Sequence, residues 1–499
     1  MNGLPVLSIM IALPLVLAIV TLLLPTKAEG AIKALGVGGT GLILAWTTMI
    51  LVLFERGPSG MQFVELHPWV PSIGMFYHLG IDGISMPLVF LGALLSFLCA
   101  LYSLRQTQQV KMFFFLLLLL EVGMLGVFVA LDYIVFYVFW ELVLLPMFFF
   151  ISVWGGERRR YASVKFFLYT LMGSVIMLLG ILMLYWYGPK TFDVVAIAAF
   201  GSKGGYSGVG QWRYLETAIF AALFLGFAVK VPIFPFHTWL PDAHVEAPTV
   251  GSVFLAGVLL KMGGYGFLRM SLPTLPTAFH AWAPWLAVMA VVNIVYGAAL
   301  ALTQTDLKKM VAYSSIGHMG FVVLGIASGV AAGVNAAVFQ MFTHGIITGL
   351  LFFAVGMSYE RYHTKEIAKL RGLVTGVPRL AVILVFASFA SLGLPGLAGF
   401  VGEFMSLLSG FSAFPAITAF AVIGIVLTAG YFLKMLMQVI FTPAEDGTPA
   451  AHGLYDITVP ELTAAVPLMG FALLLGVYPQ PFLAIVNPAA LSLTKLLGG

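Results

Sequence analysis

Apolar runs of twenty or more residues, parted by short polar breaks, repeat along nearly the whole chain. A helix that crosses a bilayer needs ~20 apolar residues. By that rule the pattern predicts fourteen spans, at about 3–25, 34–54, 83–104, 112–131, 133–153, 164–187, 216–236, 247–268, 280–302, 310–331, 335–358, 378–413, 414–440 and 459–478. The twelfth is too long for one straight helix and carries Leu394-Pro395-Gly396, so two half-helices are expected there. The seventh holds Pro232 and Pro235 and is expected to be broken as well. The fold class is therefore all-α polytopic membrane protein, one membrane domain over 1–499 with no soluble domain. The run Gly3 to Pro25 has no positive segment before it and is too long for a signal-peptide core, so it reads as the first span. The tail beyond Tyr478-Pro479 is apolar with one charge, Lys495, and is expected as an amphipathic helix on a larger complex or in the membrane interface.

Composition sharpens this picture. The chain is 61% hydrophobic and 9% charged, with mean hydropathy +1.05, where a soluble domain carries about 25% charged residues. Its single cysteine, Cys99, excludes a cysteine-ligated iron–sulfur cluster and an intrachain disulfide. No basic patch interleaved with aromatics accompanies the net charge of +4, so nucleic acid is not an expected partner. Gly36-Val-Gly38-Gly-Thr-Gly41 matches a dinucleotide fingerprint in letters only; it lies inside an apolar span, where glycines serve close helix packing. The longest polar stretches, about 188–216 and 55–82, show no nucleotide fold.

Lysines and arginines divide unevenly between the two sets of loops. One face carries 15 and the other 6, with Lys230, Lys261 and Lys434 inside spans. Positive loops stay cytoplasmic, which places both termini outside.

A charge at bilayer depth costs about 3 kcal/mol or more and usually marks function. Glu141, Lys230, Lys261 and Glu403 all lie deep in apolar runs, joined by the mid-span histidines His318 and His344. Glu121 and Lys434 are weaker candidates: no partner is evident for the first, and the second is near enough to a span end to snorkel. Spacing ties the set together. Lys230 to Lys261 and Glu403 to Lys434 are each 31 residues; Glu141 to Lys230 is 89 and His318 to Glu403 is 85. Spans 4–8 (112–270) and 9–13 (279–440) thus read as two copies of five spans, preceded by three N-terminal spans over 1–111 and followed by the last span and tail over 441–499. Two copies with an odd number of spans must be mutually inverted, and broken helices at matching positions mark the transport site. A lysine held between desolvation and a nearby carboxylate can load and release a proton, which makes Glu141 the natural partner of Lys230. His237, Asp242, His244 and Glu246 gather metal-ligand types at spacings that fit no metal signature, so helix caps and gate contacts are the expected reading.

The string Phe227-Ala-Val-Lys230-Val-Pro-Ile-Phe-Pro-Phe-His-Thr-Trp-Leu-Pro-Asp-Ala-His-Val-Glu-Ala-Pro-Thr-Val-Gly-Ser, continuing to Leu259-Leu-Lys261-Met-Gly-Gly-Tyr-Gly266, resembles the hallmark of the antiporter-like membrane subunits of respiratory complex I. That family also includes the large subunits of multi-subunit Na⁺/H⁺ antiporters. His78-Leu-Gly-Ile-Asp82-Gly-Ile-Ser, Glu403 where sister subunits usually carry lysine, and Gly476-Val-Tyr-Pro-Gln-Pro are similar to its bacterial M-type (chain 4) branch.

The resemblance implies a proton-translocating subunit of the NADH:quinone oxidoreductase in the bacterial inner membrane, flanked by homologous antiporter-like subunits. Glu141 and Lys230 would form a modulating pair. Lys261 would pass the proton to a central axis including His318 and His344, and Glu403 would be the terminal site toward the exterior. This chain would bind no cofactor; FMN, iron–sulfur clusters and quinone belong to other subunits. Two alternatives stay open: a subunit of a Na⁺/H⁺ antiporter, which Glu403 argues against, and a solute symporter, which requires a substrate-sized pocket at the helix breaks.

Overall fold

The computed structural model describes residues 4–207, 214–443 and 455–497. Residues 208–213 of the expected long exterior loop, 444–454 before the last span, and the extreme termini lie outside the described residues. The first helices are α1 (Val6–Leu23), α2 (Glu29–Leu53), α3 (Ser85–Tyr102) and α4 (Val110–Val129). A fifth span is built from α5 (Tyr133–Leu142) and α6 (Leu144–Trp154), interrupted where Pro146 cannot bond the carbonyl of Leu142. Then follow α7 (Arg159–Tyr187), the short α8 (Val194–Gly201), α9 (Leu215–Lys230), α10 (Trp239–Glu246), α11 (Thr249–Phe254) and α12 (Leu260–Gly266). The rest are α13 (Pro276–Leu302), α14 (Leu307–Ala327), α15 (Ala331–Tyr362), α16 (Leu373–Gly376), α17 (Pro378–Ser391), α18 (Ala398–Ala413), α19 (Pro415–Leu436), α20 (Val459–Val477) and α21 (Gln480–Leu496).

Among the described residues, twelve helical segments are long and apolar enough to cross a membrane. The two remaining expected spans are the broken ones. In the seventh, α9 stops at Lys230 and α10 resumes at Trp239, with Pro232 and Pro235 between. In the twelfth, α17 and α18 flank Gly393 (φ +82°) and Gly396 (φ +93°), left-handed positions that glycine takes without the Cβ clash of other residues.

Burial separates centre from rim. The apolar windows over Thr249–Ser271 and Ala331–Tyr362 are 100% buried, while that over Pro415–Phe441 is 33% buried. So α11, α12 and α15 run through the middle, and α19 presents most of its surface outward.

One departure from the all-α expectation is local. Within the stretch 55–82, β1 (Gln62–Val70) and β2 (Met75–Ile81) form an antiparallel hairpin. It is tied to its surroundings. Glu65 accepts from the Leu7 amide at 2.7 Å, His78 meets Asp193 at 2.5 Å, and Asp132, which caps α5, accepts from the Phe76 amide at 3.1 Å. Asp82 caps α3 and forms a buried ion pair with Arg269. The amphipathic tail helix α21 lies across this same face, against the chain's own helices. Its Leu497 carbonyl meets His280 at 2.8 Å, its Asn487 meets Asn335 at 2.8 Å, and it sits close enough to Gly83 that a Cβ there would fall 2.0 Å from the Ile485 carbonyl.

Candidate functional site

The break after α9 is held open by a residue the sequence did not single out. Prolines at 232 and 235 remove backbone donors and leave carbonyls to be paired in hydrocarbon. Asn293 of α13 does this with both ends of its amide: Oδ1 accepts from the Phe234 amide at 2.7 Å and Nδ2 donates to the Pro232 carbonyl at 3.1 Å. The indole of Trp239 donates to the Val229 carbonyl at 2.9 Å. Asn293→Leu leaves the buried Pro232 carbonyl unpaired, at roughly 1–3 kcal/mol, and frees the part-buried Phe234 amide as well. The expected result is a lower thermal midpoint of the assembled protein, measured by loss of intact complex on heating, together with reduced transport.

Lys230 lies at the lip of this break, 1% exposed. Its ammonium has no hydrogen-bond partner in the chain and stands over the Trp140 ring at 5.1 Å. Glu141 follows Trp140 in the last turn of α5, and its Oε1 is likewise buried and unpartnered. The two charges are within electrostatic reach but form no direct ion pair.

Lys261 stands between two π-helical stretches, Leu255–Leu259 and Phe267–Ser271. Such wide turns recur at functional sites. Its Nζ donates to the Ala256 carbonyl and meets His344 Nδ1 at 2.6 Å. The glycines that follow serve packing. A Cβ on Gly263 would fall 2.6 Å from Val231, one on Gly264 2.5 Å from Met341, and one on Gly266 2.4 Å from Phe227. They let the Lys261 helix touch both the broken α9 and the central α15.

From His344 the line continues. The His344 and His318 rings are 5.6 Å apart, and His318 Nδ1 meets Glu403 Oε1 at 2.8 Å while its Nε2 meets Ser391 at 3.0 Å. A cavity of about 10 Å³, the room one water needs, is lined by His318, Gln340, His344, Ser391 and Glu403 among others. Lys261, His344, His318 and Glu403 thus form one buried sequence of proton-exchanging groups. It runs from α12 through α15 and α14 to α18.

Two more residues bear on the line. His244 of α10 is wholly buried, stacked on Phe352 at 4.6 Å, with both ring nitrogens unpartnered and Lys261, Lys308 and His344 within electrostatic reach. The sequence showed it only as part of an unassigned loop cluster. Its neighbours form ion pairs: Asp242 with Lys165 at 2.7 Å and Glu246 with Arg158 at 3.7 Å. A cleft of about 620 Å³, lined by Arg105, Glu246, Thr249, Lys308, Glu360 and Lys365, opens the lysine-rich face to this point. No group of three or more His, Cys, Asp or Glu side chains placed to hold a metal occurs among the described residues.

Glu121 and Lys434 stand apart. Glu121 is fully buried on α4, but no hydrogen bond or ion pair joins it to the line. Lys434 is exposed and donates to the Leu302 carbonyl at the end of α13, at 3.2 Å.

A buried line of ionisable side chains in a polytopic bundle with two broken helices defines a class of ion-translocating membrane proteins, and sequence comparison narrows it. Residues 130–428 match the family model described as NADH:quinone oxidoreductase/Mrp antiporter, transmembrane. The chain belongs to that family. It is 42% identical over 497 residues to NADH-quinone oxidoreductase subunit M of Rhodobacter capsulatus, covering 98% of this chain and 96% of that one. It is 41% identical to NAD(P)H-quinone oxidoreductase chain 4 1 of a Synechococcus strain, covering 95% and 90%. Among solved structures it matches a chain of respiratory complex I from Thermus thermophilus with bound NADH at TM-score 0.88 and 33% identity, covering 99% of this chain and 100% of that one. A chain of the Mrp complex of a Dietzia strain shares the fold, at TM-score 0.82 and 24% identity over 97% and 52% of the two chains.

Proposed function

We propose that this chain is the M-type, antiporter-like subunit of a bacterial NADH:quinone oxidoreductase, moving protons across the inner membrane as quinone is reduced elsewhere in the complex. The observation that carries the reading is the buried line Lys261–His344–His318–Glu403. Its members all exchange protons, and the cavity between His318, His344 and Glu403 has space for a water rather than a solute. That size argues against a symporter.

The roles follow from position. Protons reach the buried line from the lysine-rich, cytoplasmic side through the cleft that ends at Glu246 and Lys308. Movement of Glu141 relative to Lys230 changes how firmly the ammonium holds its proton. Lys261 and the two histidines carry charge across to Glu403, which faces the outer half. Glu121 and Lys434 are left off this route. The two five-span sets, each with its fourth span broken, are inverted copies, and each broken pair crosses the membrane as one span. That gives fourteen crossings with both termini outside. The subunit is part of an enzyme without carrying its redox chemistry: FMN, iron–sulfur clusters and quinone are held by other subunits, and homologous antiporter-like subunits flank this one.

The test is purification. A tag on this chain, in mild detergent, should bring down a complex that oxidises NADH with quinone. Recovery of the chain without such activity, from membranes showing sodium-dependent and NADH-independent proton exchange, selects the antiporter instead.

A further inference from the structure

The helix that carries Lys261 is pinned at its outer end by an ion pair that the proton route above does not use. Asp82 divides its two carboxylate oxygens. Oδ1 accepts from the Ile84 and Ser85 amides at 3.0 and 3.1 Å, capping α3, and Oδ2 accepts from the Arg269 guanidinium. Both residues are buried, at 3% and 8% exposure. Asp82 is itself held fast. Its amide donates to Ser85 Oγ at 2.9 Å, and its neighbour Gly83 lies against Ile485 of α21. The acid is therefore a fixed point, and the arginine is the partner it places.

Arg269 stands inside the π-helical stretch Phe267–Ser271, on the outer side of Lys261. A wide turn holds one residue more than a regular turn. Were it to move inward past Lys261, each residue it passed would rotate by ~100° about the axis. Lys261 would then turn away from His344, which its Nζ meets at 2.6 Å. Three contacts keep the turn in place. Tyr133 of α5 donates to the Met270 carbonyl at 2.7 Å, Tyr265 donates to the Phe128 carbonyl of α4 at 3.0 Å, and Asp82 at the head of α3 holds Arg269. The first two are neutral hydrogen bonds. The third joins two charges, and such bonds are roughly twice as strong.

We propose that Arg269 is a positioning residue for Lys261: held by Asp82, it locks the wide turn on the outer side of Lys261 and so sets the flank from which the ammonium meets His344. The pair also keeps charge balanced along the helix. Arg269 lies ~12 Å beyond Lys261 at 1.5 Å per residue. Among the described residues, the ionisable groups bearing on Lys261 are His344 of α15 and His244 of α10, and those bearing on Arg269 are Asp82 and Tyr265. While the pair is intact, the helix presents Lys261 with no second unbalanced charge. The inference rests on the proton-translocating reading above.

Protons pumped per NADH oxidised, measured on assembled complex in sealed inverted vesicles, test it. Asp82→Asn combined with Arg269→Gln removes both charges while asparagine still caps α3. Pumping should fall roughly tenfold, the cost of a misplaced proton carrier. Arg269→Lys keeps a charged donor for Asp82 and should pump within about twofold of the parent, which Arg269→Gln should not. Asp82→Asn alone leaves the arginine charged and unopposed. At an effective dielectric of ~20, a unit charge ~12 Å away moves the alkaline limb of the pumping profile down by about one pH unit. Adding Arg269→Gln should bring the limb back.

A pair that serves only to stabilise the fold gives less assembled complex, normal pumping per NADH and an unmoved limb. Normal pumping in the double variant, an unmoved limb in Asp82→Asn, or Arg269→Lys no better than Arg269→Gln each overturns the proposal. If Asp82→Asn alone fails to assemble around its unpaired cation, the double variant, which leaves no buried charge, still decides. If the double variant pumps normally while Lys230→Ala does not, the role of Arg269 is wrong and the function stands. If Lys230→Ala pumps normally as well, the function itself is wrong.

Discussion

Lys230→Ala abolishes NADH-driven proton pumping while the complex still assembles, and Glu141→Ala does the same. The geometry separates the functional from the structural cost. The Lys230 ammonium makes no hydrogen bond; it stands over the face of Trp140 and feels Glu141 only at a distance. Removing it strands no donor or acceptor elsewhere, so the folded state loses little beyond side-chain packing and an interaction of ~1–2 kcal/mol. The proton-binding group at the lip of the break is lost completely. Inverted vesicles should therefore show at least ~tenfold less NADH-driven acidification at unchanged amounts of assembled complex, which amounts to more than ~1.4 kcal/mol on the transfer step. Pumping at the normal ratio of protons to NADH in either variant removes both residues from the mechanism.

Glu403→Lys is expected to be nearly as damaging, for a different reason. Glu403 accepts from His318, and the wall around it holds Ser391, Gln340 and the backbone of Gly393 rather than an acid. A lysine placed there faces an imidazole with no carboxylate to offset it. Removing one partner of a buried hydrogen-bonded pair costs about 1–3 kcal/mol. Pumping should fall to background, and Glu403→Gln, which keeps the shape, should lose pumping while retaining more assembled complex. Full activity of the lysine variant would show that the terminal site works with either sign of charge.

Much of this architecture was legible in the chain because hydrocarbon imposes strict terms. Apolar length marks the spans, and proline and glycine in the middle of two of them mark the breaks. The cost of charge at depth picked out Glu141, Lys230, Lys261, His318, His344 and Glu403, and the structure brings the last four together in one line. What spacing could not give was rotation about a helix axis. Lys434 sits 31 residues after Glu403 as Lys261 does after Lys230. Yet α19 presents most of its surface outward while α12 is wholly enclosed, so one lysine ends exposed and the other against a histidine.

Asn293 was missed because an amide inside an apolar helix carries no signal of its own. The backbone it serves is about sixty residues earlier, a pairing that exists only once α13 docks on the break. The hairpin over 62–81 was hidden by its setting in a stretch read only as a polar loop, and its pairings with Asp132 and Asp193 are all long-range.

The wide turns around Lys261 carry a consequence for what changes this family member can tolerate. A stretch bonded over five residues holds a spare residue relative to an ordinary helical turn, and each residue rotates a helix by ~100°. Deleting one position between Leu255 and Leu259 would let that turn relax to the regular pitch without breaking the helix. Everything downstream would then keep its phase, with Lys261 still turned toward His344, whereas an inserted residue finds the wide turn already filled and swings Lys261 by ~100° toward another flank. Length change is therefore asymmetric in this segment: a one-residue gap is absorbed by the wide turn, and a one-residue insertion is the harsher lesion.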